Sequence, residues 1–455
     1  MRFALLFALV SYSSVVYGAD PPAASWRVGT AVVNVTPTEP MAMAGYAGRT
    51  KPSEGSALDL YCKAMAIEST SGGRIVIVTC DLIGIPRGLR DALEVDVATK
   101  FQLKPEELLL NASHTHCGPQ FRVTTEKPPA DESASAKQAR LYGEGLRAKL
   151  LAIIGQALKE MEPVELAYSH ARCGFAMNRR TPSETGYRNN PWSEGPVDHD
   201  VPVLKVTKPD GKLKAVLFGY ACHNTTLGFL QFCGDYAGFA QQHLEAKHPG
   251  ATAHFLMGCG GDQNPYPRGE LELCRHHGKT LGIAVDAALG SSPQIKLSGA
   301  LRSALQTTTL EFAPPPPKEK LELLTKSPNK VEASHASRLL AQLAKDGSIK
   351  TTYDVPVQAV QFGDALTVVA FPGETVIDFA LRTKRENAAA GKNVWVAGYS
   401  NDVFGYIPSR RVLEEGGYEA SGAMLYSRFP GPFGVDVEER LMKAATEAIG
   451  KVRVK

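Results

Sequence analysis

The 455-residue sequence lacks the short motifs that mark several common enzyme classes. It contains no GxSxG, so a serine-hydrolase nucleophile elbow is not supported. It contains no HExxH, no Walker loop and no GxGxxG, the signatures of zincins, P-loop proteins and dinucleotide-binding proteins. None of the eight cysteines forms a CxxC pair, which argues against a zinc ribbon. We expect Cys117, Cys222 and Cys259 to be small buried hydrophobic residues.

The sequence also has little net charge and no long apolar run after residue 18. A formal net charge of +3 argues against nucleic-acid binding and against a polybasic membrane anchor. No later stretch is long enough and apolar enough to span a bilayer. The content of 44% hydrophobic and 21% charged residues is that of an ordinary globular protein. Peripheral contact with a membrane surface stays open.

The first 18 residues have the pattern of a secretory signal peptide. Arg2 precedes an apolar run over residues 3–10, and the small residues Gly18 and Ala19 suit signal peptidase. An uncleaved membrane anchor is the alternative, but the run is short for a spanning helix. We therefore predict that residues 1–18 are a signal peptide and that the protein is secreted or periplasmic.

Strands and helices are predicted to alternate along the rest of the chain. The predicted strands are 74–81, 107–112, 214–223, 252–258, 364–371 and 392–400. The predicted helices are 87–101, 138–162, 236–248, 270–289, 374–390 and 434–450. This alternation indicates an α/β or mixed domain over residues 19–455, with its site in loops at strand ends. Residues 313–350 form a Pro-rich and helical excursion from that domain.

The stretch NASHTHCGP, residues 111–119, places two histidines directly after a predicted buried strand. Side chains alternate between faces in an extended segment, so His114 and His116 should point the same way. Two imidazoles on one face at a strand end can begin a metal site. Two surface histidines in a loop are the alternative, and an isolated HxH favours that reading.

Three further strand ends carry polar residues that could complete such a site. GYACHNTT (219–226) contains His223, and FPGET places Glu374 at the start of a predicted helix, where the helix dipole alone would favour a carboxylate. GYSNDVFGYIPSRR (398–411) contains Tyr406. Two histidines and a carboxylate make a catalytic zinc set, but their spacing alone does not bring them together. The glycine-rich loop 255–269 could approach a ligand or simply connect a strand to a helix.

Taken together, these stretches resemble the N-terminal catalytic domain of the neutral/alkaline non-lysosomal ceramidase family. The resemblance spans about Val28 to Ser427, and several stretches in the right order are far more specific than any one of them. The matching stretches are GYAGR (45–49), DLYCKAMAIES (59–69), NASHTHCGP, GYACHNTT, GDYAGFAQQHLE (234–245), GCGGDQNP (258–265), FPGET, NDVFGYI and YEA (418–420).

The resemblance implies a zinc site and several residues around it. The implied zinc ligands are His114, His223, Glu374 and Tyr406. His116 matches the second histidine of the family's HTH and is implied to contact the substrate or transfer a proton. Tyr418 matches a second tyrosine near the metal, and Arg179, in MNRRTP, is implied to bind the polar head of the substrate.

Two features depart from the family pattern. Ceramide-cleaving members have Gly-Asp-x-Ser-Pro-Asn, whereas residues 261–266 read GDQNPY, so Asn264 stands in the place of an active-site serine. We predict that Asn264 has a catalytic role, because its amide can donate a hydrogen bond as a hydroxyl does. The sequence also ends at Lys455, where larger members continue into an immunoglobulin-like domain. Both features bear on the substrate, and neither removes a metal ligand.

We therefore predict one mixed α/β domain in which two packed β-sheets are flanked by helices. The predicted function is zinc-dependent hydrolysis of the N-acyl amide bond of a ceramide-like lipid, in sphingolipid metabolism, by a metal-activated water. A zinc hydrolase of a different amide or ester is one alternative. A non-catalytic lipid- or glycan-binding relative is another, and zinc content distinguishes it from the enzymes.

Overall fold

The computed structural model describes residues 25–124, 128, 131–291, 293–387, 392–427 and 429–453. The predicted signal peptide, residues 1–18, lies outside the described residues. Within the described ranges, no helix combines the length and the hydropathy needed to cross a membrane. All eight cysteines are described, buried and unpaired, which confirms the expectation for Cys117, Cys222 and Cys259.

The described residues form eighteen strands and nine α-helices. The strands are β1 (Trp26–Asn34), β2 (Tyr61–Ser69), β3 (Arg74–Cys80), β4 (Leu108–Ala112), β5 (Glu162–Arg172), β6 (Ala176–Ser183), β7 (Gly186–Trp192), β8 (Asp200–Thr207), β9 (Leu213–Tyr220), β10 (Thr252–Met257), β11 (Gln263–Pro265), β12 (Ile295–Leu297), β13 (Leu301–Glu311), β14 (Thr352–Phe362), β15 (Leu366–Ala370), β16 (Glu374–Thr375), β17 (Asn393–Ala397) and β18 (Tyr406–Ile407). The helices are α1 (Arg87–Phe101), α2 (Ala134–Lys159), α3 (Asp235–Lys247), α4 (Leu271–Gly290), α5 (Lys318–Leu324), α6 (Lys330–Asp346), α7 (Ile377–Asn387), α8 (Arg410–Glu415) and α9 (Val437–Val452).

The larger of two main sheets has nine strands in the described part of the chain. Its order is β10-β9-β8-β5-β1-β2-β3-β4, and β12 pairs with β5. Neighbouring strands are antiparallel except at the two ends of the sheet, where β9 runs parallel to β10 and β3 runs parallel to β4. The carboxyl ends of parallel strands are the usual place for a site. The loop after β4 carries His114 and His116, and the loop after β9 carries His223.

The two ends of this sheet come together through the side chain of Asn111 in β4. Its Oδ1 accepts a hydrogen bond from the backbone N–H of Met257 in β10 at 2.8 Å. Its Nδ2 donates to Gly398 O at 2.8 Å and to Ser400 Oγ at 3.1 Å, both just after β17. Asn111 is fully buried, so its polar atoms must find partners inside the protein. The Asn111 side chain therefore holds the ends of β4, β10 and β17 close together, and the loops that carry the site follow these ends.

A four-stranded sheet, β13-β14-β15-β17, packs face to face on the larger sheet. Apolar side chains such as Ile77 and Leu217 from the larger sheet meet Val360 and Val368 from the smaller one. Helices α1–α4 cover the outer face of the larger sheet, and α7 and α9 cover that of the smaller sheet. Each sheet thus buries both faces. The predicted mixed α/β fold with two packed sheets flanked by helices is confirmed.

The predicted strands and helices all have observed counterparts, most with ends displaced by a few residues. Residues 388–390, the end of the helix predicted over 374–390, lie outside the described residues. One displacement matters, because the helix predicted over 374–390 begins at Ile377 and leaves Glu374 in a separate short strand. In the predicted excursion over 313–350, α5 and α6 pack around a small apolar cluster that includes Leu321 and Leu339. The excursion connects β13 and β14, which pair along their whole length in one sheet.

Candidate metal centre

His114 and His116 lie in the turn that follows β4. His114 has φ +63°, so the segment is not extended. The two rings therefore do not lie on one face because of strand alternation, and the reason given for that expectation was wrong. The rings nevertheless lie close together, edge to face, with 3.2 Å between their Nε2 atoms. The Nδ1 atom of His114 lies 2.6 Å from the backbone oxygen of Ile83. That contact leaves Nε2 as the nitrogen presented to the site.

His223 was expected to end a strand over 214–223. In the structure β9 ends at Tyr220, and His223 lies three residues after it. Its Nδ1 atom lies 2.6 Å from the backbone oxygen of Gly260, in the glycine-rich loop after β10. Its backbone N–H donates to Gln263 O at 3.1 Å. The glycine-rich loop therefore holds the His223 ring in place, so that Nε2 again faces inward.

Glu374 and Tyr406 are neighbours because two very short strands pair. Parallel strands β16 and β18 place Glu374 directly opposite Tyr406. The prediction that Glu374 starts a helix was wrong, because Gly373 has φ +63° and turns the chain. The backbone N–H of Glu374 then donates to Gly405 O at 2.8 Å instead of entering a helical turn.

The four side chains that were predicted to bind zinc converge on one point. Oε2 of Glu374 lies 3.1 Å from His114 Nε2 and 3.4 Å from His223 Nε2. The hydroxyl oxygen of Tyr406 lies 3.1 Å from His223 Nε2. His114, His116 and His223 each present a ring nitrogen within 4.8 Å of the others. The structure thus offers ligand atoms from five side chains around one small volume.

These residues fit a bound divalent cation. Oε2 of Glu374 is buried and has no hydrogen-bond partner in the described part of the protein, although two imidazole nitrogens face it. Both of those imidazoles are anchored through Nδ1 to backbone oxygens, the usual support of a metal-binding histidine. Imidazole nitrogens and a carboxylate oxygen are ligands that divalent transition metals, zinc among them, use in proteins.

The protonation states of the site also favour a cation. Burial, with a contribution from Arg179, lowers the pKa of His223 to about 3. Burial likewise lowers the pKa of His116 well below its ordinary value. Burial alone would raise the pKa of the Glu374 carboxyl, but His114 and His223 hold it well below the usual range. The lowered pKa values of His223 and Glu374 favour their deprotonated forms, and these are the forms that bind metals.

His116 differs from the other two histidines in its support. Its Nδ1 is buried and has no hydrogen-bond partner in the described ranges. The ring instead packs against Tyr46, with 4.6 Å between centroids, and against Gly45, where a β-carbon would lie 2.5 Å from the ring. His116 thus lacks the backbone anchor that His114 and His223 have. Its placement is compatible with the predicted catalytic role and with metal binding.

Arg179 and Asn264 lie behind Tyr406. Arg179, in β6, donates to Tyr406 OH at 2.8 Å, to Asn264 Oδ1 at 3.3 Å and to Glu419 Oε1 at 2.8 Å. Asn264, in β11, also accepts from Thr225 Oγ1 at 3.1 Å. Both side chains are almost fully buried. The role of Arg179 in binding the substrate head stays a prediction, because its guanidinium is buried behind Tyr406 and already bonds to three side chains.

A cavity of about 300 Å³ opens onto the ligand cluster. Its inner wall includes His114, Glu374 and Tyr406, and Tyr418 lies at its side, 40% exposed and with its ring 5.4 Å from that of Tyr406. The remaining lining residues are mostly apolar: Ile83, Gly84, Pro86, Phe121, Val403, Phe404, Gly405, Ala423, Met424, Tyr426 and Ser427. Such a cavity combines a polar end with an apolar wall, as small-molecule sites do.

Two residues that build this site were not predicted from the sequence. Asn111 was quoted within the histidine stretch but given no role, and Glu419 was passed over beside Tyr418. A signal for Glu419 existed, because two adjacent arginines, Arg179 and Arg180, lie in a segment that reads as a strand. At least one arginine of such a pair points inward and requires an acidic partner.

Comparison with known proteins places the chain in a family. The model of the family "Neutral/alkaline non-lysosomal ceramidase, N-terminal" matches residues 26–276. The neutral ceramidase from Pseudomonas aeruginosa has a similar structure, with a TM-score of 0.71 and 18% sequence identity over 95% of this chain and 76% of that chain. A ceramidase complexed with C2 gives a TM-score of 0.69 and 19% identity over the same shares of the two chains. No curated protein sequence matches significantly.

At these identities the two solved structures show a common fold over 95% of this chain. The family match covers more than half of the 455 residues. This chain therefore belongs to the neutral/alkaline non-lysosomal ceramidase family.

Proposed function

We propose that this protein is a zinc-dependent hydrolase that cleaves the N-acyl amide bond of a ceramide-like lipid. Family membership supports a ceramidase-like hydrolase. The observation that carries the proposal is the convergence of His114, His223, Glu374 and Tyr406 at the inner end of a cavity with an apolar wall.

We propose His114, His223, Glu374 and Tyr406 as the zinc ligands and assign His116 a different role. The two anchored imidazoles resemble typical metal-binding histidines, whereas His116 has no partner for Nδ1 in the described structure. Glu374 adds the negative charge that a divalent cation needs in a buried site. Tyr406 supplies the fourth ligand atom, its hydroxyl oxygen, at the same point.

Zinc held there would polarise the amide carbonyl and lower the pKa of a bound water toward neutrality. His116 Nε2 faces the site, 3.2 Å from His114 Nε2, so the ring can accept a proton during attack by water and pass it to the departing amine. Partial burial, with a contribution from the Glu374 carboxylate, raises the pKa of Tyr418 to about 12, so its phenol stays protonated. Its hydroxyl can then donate to the oxygen on which negative charge develops.

The wall of the cavity supports a lipid-like substrate. Side chains of Ile83, Val403, Phe404 and Met424 line the space beside the ligand cluster, where a hydrocarbon chain would leave water. Burial of each methylene contributes about 0.8 kcal/mol to binding. One of the similar structures is a ceramidase complexed with C2, which is consistent with this substrate class.

A zinc hydrolase of another amide or of an ester is the second candidate. The presence of Asn264 in place of the family's serine favours this second candidate. Asn264 contacts Arg179, the residue implied to bind the polar head of the substrate, so the change of residue bears on which substrate is bound. Secretion or periplasmic export through residues 1–18 remains part of the proposal and is supported by the sequence pattern.

The function is tested on the purified protein with zinc analysis and a panel of N-acyl sphingoid lipids. We expect one zinc per chain, hydrolysis of an N-acyl lipid, loss of activity with a chelator and recovery with added zinc. Including simple esters and soluble amides in the panel identifies the second candidate. Zinc-free protein that hydrolyses the lipid, or zinc-loaded protein that hydrolyses nothing in the panel, contradicts the proposal.

Gly261→Ala is expected to displace the strand that carries Glu374. A β-carbon at Gly261 would lie 2.5 Å from Glu374 O and 2.9 Å from Thr375 O, so β16 must move. A displacement of about 1 Å in an active site costs up to about 10²-fold in rate. We expect turnover to fall by about 10-fold or more and zinc to dissociate faster. Gly174→Ala is the control, since a β-carbon there meets nothing within 4 Å. If Gly261→Ala has the turnover and the zinc dissociation rate of Gly174→Ala, β16 tolerates the added β-carbon and the expectation is wrong.

A further inference from the structure

Two adjacent buried arginines share one carboxylate behind the site. Glu419 Oε1 accepts from Arg179 Nε at 2.8 Å, and Glu419 Oε2 accepts from Arg180 Nη1 at 2.6 Å. All three residues are at most 3% exposed. Buried charges persist only when they are paired and hydrogen-bonded. Glu419 is therefore the common partner that allows both arginines to lie inside the protein.

The contact of Glu419 with Arg179 leads directly to Tyr406. The Nη2 atom of Arg179 donates to Tyr406 OH at 2.8 Å, and the guanidinium carbon lies 5.6 Å from the centroid of the Tyr406 ring. Tyr406 OH in turn lies 3.1 Å from His223 Nε2. An arginine side chain has many rotamers, and it holds a phenol in one place only if its own guanidinium is fixed.

The contact of Glu419 with Arg180 fixes the carboxylate itself. Arg180 has two further anchors, Glu415 Oε2 at 3.1 Å and Gly416 O at 2.7 Å. Arg180 is thus held independently of the site, and it holds Glu419 Oε2 while Oε1 orients Arg179. With its guanidinium fixed in this way, Arg179 holds the Tyr406 hydroxyl in one place through its hydrogen bond from Nη2.

We propose that Glu419 is a positioning residue, which acts through Arg179 to hold Tyr406 in the geometry of a metal ligand. The inference rests on the proposed zinc site. Because Glu419 follows Tyr418, the same ion pairs also hold the Tyr418 segment beside the cavity. Glu419 need not contact substrate or metal for this role.

The test compares Glu419→Gln with Glu415→Gln. Both substitutions remove a carboxylate that contacts Arg180, but only Glu419 also contacts Arg179. Zinc-loaded full-length proteins are mixed with a chromophoric chelator, and the rate of zinc loss is followed. We expect Glu419→Gln to speed zinc loss by about 10–100-fold, as for a supporting partner of a metal ligand. We expect Glu415→Gln to stay within about twofold of the wild type.

A double-mutant cycle separates positioning from a general structural role. If Glu419 acts through Tyr406, Glu419→Gln should add little to the zinc-loss rate of Tyr406→Phe. In turnover assays Glu419→Gln should lower kcat and leave KM nearly unchanged. Glu419→Asp keeps a negative charge beside both arginines, so it provides a folding-competent variant with an intermediate zinc-loss rate.

Three results would overturn the inference: zinc loss from Glu419→Gln at the wild-type rate, equal acceleration by Glu415→Gln, or an undiminished effect in the Tyr406→Phe background. A wild type that binds no zinc contradicts the proposed function instead. The positioning role is then decided by crystal structures of the two variants. It predicts that Tyr406 OH moves by about 1 Å or more in Glu419→Gln only, about the misplacement that impairs a site, and an unmoved hydroxyl refutes it.

Discussion

Replacing Glu374 by alanine or glutamine is expected to remove both zinc and catalysis. Glu374 is the only carboxylate among the four proposed ligands, and its Oε2 lies within 3.4 Å of two imidazole nitrogens. Its pKa lies well below the usual range, so the wild-type side chain is negatively charged at neutral pH. Glutamine keeps the shape and removes that charge. The loss should exceed the roughly 10–100-fold that removal of an outer partner of a metal site costs.

The measurements for Glu374 are zinc per chain after dialysis, and turnover of the best substrate with added zinc. Glu386→Gln is the matched control, because Glu386 lies on α7, is ion-paired with Arg382, has a 41% exposed side chain and does not line the cavity. It should keep full zinc and near-wild-type turnover. If Glu374→Gln retains zinc and activity, the metal is held without a carboxylate, and the set of His114, His116 and His223 becomes the better assignment.

The local part of this site could be predicted from the sequence. The apolar run over residues 108–110 predicted a strand over 107–112, and the structure has a strand at Leu108–Ala112 that is followed by both histidines. Likewise the pattern over 87–101 predicted a helix, which matches α1 in both ends. Such patterns depend only on neighbours in the chain, so one sequence contains the necessary information.

The pairing of Glu374 with Tyr406 could not be predicted in the same way. A carboxylate after Pro372-Gly373 is a good helix start, so local preference favoured the wrong element. The structure instead satisfies the Glu374 backbone N–H with Gly405 O, 31 positions away in the chain. Strand pairing depends on non-local partners that local propensity does not specify. Only the family resemblance indicated that these two residues meet.

Buried polar partners were the other feature beyond local patterns. Asn111 joins β4 to β10 and to the end of β17, and Glu419 joins two arginines 239 and 240 positions away. Each is an ordinary polar residue in the sequence. Its importance arises only when burial removes water and the protein must supply every hydrogen bond.

The second large effect is expected at Asn264, where the family pattern has a serine. In the structure Asn264 Oδ1 accepts from Arg179 Nη1 at 3.3 Å and from Thr225 Oγ1 at 3.1 Å. Asn264→Ala leaves both buried donors without this acceptor, and a lost hydrogen bond to a charged group costs about 1.5–3 kcal/mol. If that energy is expressed in the transition state, the rate falls by about 10–100-fold. We expect Asn264→Ala to be slowed by that amount, still active and fully loaded with zinc.

The same position decides whether a side-chain nucleophile is needed. An asparagine amide cannot attack a carbonyl, so an obligatory serine nucleophile at this position would leave the wild type inert. The structure gives Asn264 a positional role, because it is 1% exposed and orients Arg179 behind Tyr406. Asn264→Ser keeps an acceptor at a shorter reach and should fall between the wild type and Asn264→Ala in kcat. Zinc-loaded wild type that hydrolyses no amide or ester, together with activity gained in Asn264→Ser, would show that the nucleophile belongs to the side chain rather than to water.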